Sequence, residues 1–436
     1  MKTIKWSIEG KCNLDCKHCI VAGTEYSNSL SLEDNKKIVD ILIENGYRSI
    51  NFTSKEPLLY PDIVDLLKYC RMNKMRVSLI TNGTLLNKKI INEMSLGNFE
   101  YVAVSLEGLT TNTNDYVRGD GTFEQVCNKL SLIFEMNKSN NDGSFVPVIL
   151  QLCLTKYNID EIKNSIGDFA NKYGIYSVTL GRVNEQGNAV KNKELLYLDD
   201  TYKDSLYDLI ISINNKWPTL LINYKDITIY ETLYLNIVFG TNLPIHIPNC
   251  TLDSKYFNIL PNGDICKCDL LLNSNIVPQA NSTCGNILSN FDKKKLIISP
   301  KRKKDGFCTE CIFSERCNIC FIHTNNGVTK ESIVNTCEKN FNKLMNILDK
   351  ITKGEVCFSM RPHIIFKEND HRIELKCNNC FPIEIDKKYA DMLIGKNDII
   401  RFNDEIPSNI FRDLLFSNYI ILNDSKLSYS KKVSSR

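Results

Sequence analysis

No stretch of this chain reaches the run of about 18 apolar residues that a membrane-spanning helix needs. The opening MKTIKWSIEG lacks the apolar core of a secretory signal. These two absences give a cytoplasmic location and no membrane partner as the expectation. An excess of charge of one sign is missing as well. Lysine and arginine number 54 against 51 aspartates and glutamates, a formal balance of +3. So near a balance offers no dense basic face, and a nucleic-acid partner is not expected. No internal repeat is evident. At 436 residues, 43% hydrophobic and 24% charged, the chain has the composition of a soluble globular protein of two or three domains.

Cysteine is what the chain has in plenty: 18 residues, most of them between Cys250 and Cys380. A disulfide framework belongs to small exported domains, and nothing points to export. Clustered cysteines at short spacing in such a chain read as metal or iron–sulfur ligands.

Residues 1–217 alternate strand and helix signals. KTIKWSI, SINFT, VSLIT, YVAVSL, VPVILQLCLT and YSVTLG carry strand patterns. Between them lie amphipathic helices, the first opening on Ser31 and stopping at Gly46. Repeated strand–helix units predict a parallel sheet with helices outside, a partial (β/α)6 barrel of the TIM type or an open sheet. In both, ligands bind at the carboxyl ends of the strands. Residues 218–355 form a small cysteine-rich α+β domain with short strands. Residues 356–436 read as a small winged-helix-like module: a hairpin over HIIFKENDHRIEL, helical IDKKYADMLIG and SNIFRDLLFSNYIIL, and a polar tail.

The loop after the first strand reads CNLDCKHC and offers three thiols, Cys12, Cys16 and Cys19. A structural zinc site or an iron–sulfur cluster wants four ligands. Either a distant residue completes a zinc site, or three thiolates hold three irons of a four-iron cluster and the fourth iron stays open. The position, on the ligand-binding face of the sheet, favours the second.

C-x3-C-x2-C after the first strand of a partial barrel resembles the motif of radical S-adenosylmethionine enzymes. The resemblance implies a [4Fe–4S] cluster on Cys12, Cys16 and Cys19. S-adenosylmethionine would sit on the open iron, and a 5′-deoxyadenosyl radical would abstract hydrogen from substrate. TSKEP, residues 53–57, stands where the family has Gly-Gly-Glu-Pro. Glu56 and Pro57 match, while Ser54 and Lys55 replace the glycines. By the same resemblance Glu56 would contact the methionine ammonium, and Asn82 and Ser105 would lie on the ribose side. Gln151 and Arg182 would contact the cofactor. Glu107, in VSLEG, would be an acid or base near substrate, followed by Arg118 and Gly119 of the family pattern. His18 is expected to pack near the cofactor rather than bind iron.

Further on, Cys250 is followed by 12 residues, Gly263, four residues and Cys268; then come Cys308, Cys311, Cys317, Cys320 and Cys337. This resembles the seven-cysteine SPASM extension of radical enzymes that modify peptides and proteins, with one residue fewer between Cys317 and Cys320. It implies two auxiliary [4Fe–4S] clusters, three clusters in all. Cys308, Cys311, Cys317 and Cys337 would hold the outer one. Cys250, Cys268 and Cys320 would hold the inner one, with Cys284 or Cys266 as its fourth ligand, or substrate there instead. The same thiolates could also hold two zinc ions. Cys70, Cys127 and Cys153 read as core residues, and Cys377 and Cys380 receive no ligand role.

The function so implied is hydrogen abstraction from a peptide or protein, a precursor peptide with a leader above all. The product would be a thioether, a carbon–carbon or carbon–oxygen crosslink, an epimer or an oxidised residue. A low-potential flavodoxin or ferredoxin would be the electron donor. The alternatives are a sulfatase-maturing, formylglycine-forming enzyme, a small-molecule radical enzyme, or a non-catalytic iron–sulfur scaffold. Relatives that read a leader often carry a winged helix ahead of the barrel. Cys12 leaves no room for one here, so the tail from 356 is expected to supply it.

Overall fold

The structure, a computed structural model, describes residues 3–24, 26, 28–140, 144–184, 186–193, 202–225, 227–245, 257–267, 283–289, 291, 306–315, 317, 330–353, 355–361, 364–369, 371–393 and 406–422. Cys250, Cys268 and Cys320 lie outside them.

The first half is a run of strand–helix units: β1 Thr3–Trp6, α1 Leu32–Glu44, β2 Ser49–Phe52, α2 Ile63–Met72, β3 Arg76–Thr81, α3 Lys88–Ser95 and β4 Phe99–Ser105. Two helices follow, α4 Thr111–Arg118 and α5 Thr122–Ser139. Then come β5 Val148–Leu154, α6 Ile159–Tyr173, β6 Ser177–Arg182, α7 Tyr202–Lys216 and β7 Leu221–Tyr224. Strands β1 to β7 pair in sequence order, all parallel. The partial parallel barrel expected from the strand–helix alternation is present, and its sheet runs past residue 217 to β7. Local chemistry explains the elements. Ser31 caps α1 by accepting from the Asp34 amide at 3.2 Å, and the helix turns Ile38, Val39 and Leu42 inward. All four residues of β2 are buried, as a strand covered on both faces requires.

The cysteine-rich region is hydrogen-bonded onto this sheet. It begins with α8 Ile229–Val238 and continues with β8 Asn258–Ile259, β9 Asp264–Cys266 and β10 Thr283–Asn286. Strand β8 pairs in parallel with β1, and β9 and β10 follow antiparallel, giving one ten-stranded sheet. After a short helix, α9 Phe307–Glu310, comes the long α10 Lys330–Thr352.

The remaining elements are β11 Phe358–Met360, β12 Ile365–Asn369, β13 Arg372–Lys376, β14 Ile383–Asp386, α11 Lys387–Leu393, α12 Ser408–Phe416 and β15 Ile420–Leu422. Strands β12, β13 and β14 form an antiparallel sheet, so the expected hairpin is there. Strand β15 returns to pair with β11. This module shares its core with the preceding region: Tyr230 and Leu233 of α8, Leu344 of α10, and Phe411 and Leu414 of α12 pack in one buried cluster. No helix among the described residues is long and apolar enough to cross a membrane.

Arg361 fastens the two parts together. It is 6% exposed. It donates to the Asn418 carbonyl at 2.7 Å, to Asn418 Oδ1 at 3.1 Å, and to the carbonyls of Asn236 and Thr241 at 3.0 and 3.2 Å. Its loss would strand buried acceptors on both sides. Arg361→Leu is expected to lower the unfolding free energy by about 3 kcal/mol, measured by urea denaturation.

Candidate active site and cluster ligands

The loop 12–19 lies at the carboxyl ends of the strands and is held from three directions. From the β3 side, Asn82 donates through Nδ2 to Asn13 Oδ1 at 2.8 Å and approaches Cys12 Sγ at 4.0 Å. Its Oδ1 accepts from the amide and hydroxyl of Thr84, and Asn13 donates back to Thr84 at 2.9 Å. The turn needs its glycine: Gly83 has φ +80°, and a Cβ there would meet Val104 at 2.9 Å. From the β4–α4 side, the Lys17 amide donates to the Val117 carbonyl at 2.9 Å. From beyond β6, the Asn188 amide donates to the Cys19 carbonyl at 3.0 Å. Asn188 Nδ2 reaches Asp15 at 2.6 Å and the Cys16 carbonyl at 3.1 Å, and Asn192 donates to the Lys17 carbonyl at 3.2 Å. The backbone there passes so close that a Cβ on Gly187 would lie 2.2 Å from the Cys19 oxygen. Asn13, Asn188 and Asn192 were not visible as site residues in the sequence. Side-chain amides bracing a loop follow no spacing rule.

Glu56 is fully buried and already engaged. Oε1 accepts from the Leu58 amide at 3.0 Å and from the Thr81 hydroxyl at 2.7 Å, and Oε2 accepts from the Asn82 amide at 2.8 Å. Burial pushes its carboxyl up, against these hydrogen bonds and the charge of Arg118. Its own amide donates to the Lys11 carbonyl at 3.0 Å, so it ties the β2 and β3 turns to the start of the cluster loop. Beside it, Ser54 holds φ +75°. That is the left-handed backbone a glycine adopts freely and a serine adopts at a cost of about 1 kcal/mol. The hydroxyls of Ser54 and Tyr26 lie 3.2 Å apart, and Lys55 Nζ lies over the Tyr26 ring at 5.9 Å. The chain keeps a glycine's conformation at Ser54 without the glycine.

Glu107 is 3% exposed and carries two cationic partners. Oε1 lies 2.9 Å from His18 Nε2, and Oε2 accepts from Arg118 Nε at 2.6 Å. Burial alone would raise its carboxyl; the Arg118 and His18 charges overcome that and hold it below the usual range. Burial would likewise lower His18, yet the Glu107 charge and hydrogen bond hold the imidazole well above its ordinary value. His18 thus belongs to a buried charge cluster at the loop. Cys153 Sγ lies by the same ring, and His18, Glu107 and Cys153 have donor atoms within 4.8 Å of one another. With Arg118 bonded to the carboxylate, this trio is an ion-pair nest, not a cation site. Ser105 ends β4 in register with Gln151, and Arg182 ends β6 in register with Leu154. All three stand at the mouth of the barrel.

Cys12, Cys16 and Cys19 are free thiols, and burial raises the first two. They do not form a trio within 4.8 Å, as His18, Glu107 and Cys153 do. A tetrahedral zinc with bonds of about 2.3 Å would draw its thiolates to about 3.8 Å of one another. At least one pair of these thiols is thus farther apart than that, as a cluster holding each thiolate on a different iron would require. A second thiol nest lies in the other core. Cys311 Sγ is 3.2 Å from the Tyr230 hydroxyl, and the charges of Cys317 and Cys337 act on that hydroxyl too. Cys308 sits in α9, three residues before Cys311. Cys266 is fully buried in β9, while Cys284 in β10 packs against the barrel core.

Glu107→Gln leaves His18 and Arg118 buried without their anion. It is expected to cost about 3 kcal/mol of stability, measured by chemical denaturation.

Residues 6–169 match the family model described as the Radical SAM superfamily. Fe-coproporphyrin III synthase of Methanosarcina barkeri is 33% identical over 150 residues, 31% of this chain and 37% of that protein. Mycofactocin maturase MftC of Mycobacterium tuberculosis is 24% identical over 322 residues, 72% of this chain and 76% of that one. The chain thus spans little more than a third of the first relative and about three quarters of the second. Among solved structures, Streptococcus suis SuiB bound to its precursor peptide SuiA superposes with a TM-score of 0.58 at 18% identity, over 74% of this chain and 72% of that one. The cluster loop and strands β2 to β5 thus lie within the segment that resembles the radical SAM superfamily.

Proposed function

We propose that this protein is a radical S-adenosylmethionine enzyme that modifies a peptide or protein, with one catalytic and two auxiliary [4Fe–4S] clusters. When bound, the cluster on Cys12, Cys16 and Cys19 and its S-adenosylmethionine supply a 5′-deoxyadenosyl radical that takes a hydrogen atom from substrate. The protein's own residues fix the geometry. Asn82, Asn188 and Asn192 hold the cluster loop, Glu56 locks the β2 and β3 turns against it, and the Glu107 nest orients His18 beside the thiols. Ser105, Gln151 and Arg182 line the mouth where the cofactor's ribose and carboxylate would lie; a guanidinium suits a carboxylate.

The observation that carries the peptide reading is the thiol nest of Cys311, Cys317 and Cys337 outside the barrel. A barrel cluster alone would not call for it. The similarity to mycofactocin maturase spans 322 residues, long enough to take in part of the cysteine-rich region. The similarity to Fe-coproporphyrin III synthase spans 150, and that relative favours a small-molecule substrate as the second reading.

The module from 356 is the proposed peptide reader. Among the described residues β12 pairs only with β13, leaving an edge on which an extended peptide could add a strand. Ile365 on that edge is 68% exposed. It borders a cavity of about 480 Å³ lined by Ile364, Ile365, Lys376, Cys377 and Asn378. Because the module shares its core with α8 and α10, a surface change probes binding better than truncation at residue 355.

Two experiments test the proposal. Reconstituted, reduced protein should cleave S-adenosylmethionine to 5′-deoxyadenosine, and Cys16→Ala should abolish this; no cleavage by the intact protein overturns the enzymatic reading. Ile365→Glu should weaken binding of the candidate precursor peptide, read by fluorescence anisotropy, by about tenfold or more, as loss of a central apolar anchor does, with unfolding unchanged.

A further inference from the structure

Helix α8 brings a hydroxyl to the outer thiol nest from its first turn. Tyr230 is fully buried. Its ring is fixed by Phe307, Phe313, Phe341 and Phe416, with centroids 5.7, 5.5, 5.4 and 6.3 Å away. Held so, the ring places its hydroxyl 3.2 Å from Cys311 Sγ. Two residues earlier, Thr228 caps the helix: its Oγ1 accepts from the Glu231 amide at 3.2 Å.

The cap itself is braced. Glu231, fully buried, accepts from the Thr228 amide at 2.7 Å, from Lys203 Nζ at 2.8 Å and from the Tyr207 hydroxyl at 2.6 Å. Lys203 balances its charge, so the carboxylate orients Thr228 without leaving a bare anion next to the thiols.

A thiolate bound to iron carries no proton, so in the loaded protein the Tyr230 hydroxyl must be the donor. Donation to a ligand sulfur favours the more electron-rich, reduced cluster and raises its potential. We propose that Tyr230, in the first turn of α8, donates to Cys311 and so sets the reduction potential of the outer auxiliary cluster. It acts as a positioning and tuning residue. The inference rests on the reading of Cys308, Cys311, Cys317 and Cys337 as cluster ligands.

The test is a redox titration of the reconstituted full chain followed by electron paramagnetic resonance, with iron and sulfide counts. Tyr230→Phe keeps the ring and removes only the donor. It should leave the iron count unchanged and lower the outer cluster's potential. The reduced-to-oxidised ratio at fixed potential should fall by up to about tenfold, about 59 mV for one electron. The barrel cluster's potential should stay where it was. An intact outer cluster with an unshifted potential in this variant overturns this inference alone. A wild-type chain that binds no cluster at those four cysteines overturns the ligand reading and this inference with it.

Discussion

A carboxylate as deeply buried as Glu107 keeps its charge only if partners replace the water it has lost. It has two, and they come from opposite ends of the site: His18 from within the cluster loop, Arg118 from the end of α4. Each of the three groups is costly to bury alone and stable to bury together. The pairing therefore fixes the distance between the loop and the helix without a covalent link. The Lys17 amide on the Val117 carbonyl runs beside it, so backbone and charge hold the same joint. An iron–sulfur loop must present its thiolates at set positions before the metal arrives. This nest ties the loop to α4.

The rest of the site follows from how a parallel sheet ends. Strands β2 to β6 bring their carboxyl ends to one rim, and the turns there carry Glu56, Asn82, Ser105 and Arg182. Glu56 and Asn82 brace the rim itself before they face any ligand. Glu56 satisfies the β3 turn, Asn82 satisfies Asn13 and Thr84, and the segment 186–192 closes over the Cys16 and Cys19 carbonyls. Catalysis by a borrowed radical asks little acid–base chemistry of the protein and much exact placement, and a rim spent on bracing is what that demand would select.

The strand–helix alternation was legible because each unit writes its own periodicity, and the three thiols because their spacing is local. What the sequence concealed depends on distant partners. Glu107 and Arg118 are 11 residues apart and His18 some ninety residues earlier; no window holds all three. Ser54 looked like a departure at a position reserved for glycine, and only the backbone reveals that it adopts the glycine conformation regardless. The long α10 was hidden in a cysteine-rich stretch whose composition suggested short strands. The C-terminal module was read as separate because its pattern changes at 356. Its burial against α8 and α10 is a property of packing, which a pattern along the chain does not record.

Helix α8 is where these levels meet. Its Glu231 takes Lys203 and Tyr207 from α7, the last helix of the barrel. Its first turn faces the outer thiols, and its later residues Asn236 and Ile237 meet Arg361 and the C-terminal core. One ten-residue helix thus touches the barrel, the thiol nest and the module proposed to read the substrate. Arg361 grips its carbonyl end while the Tyr230 hydroxyl approaches Cys311 at its amino end, so one short helix joins the C-terminal core to the cysteine-rich region.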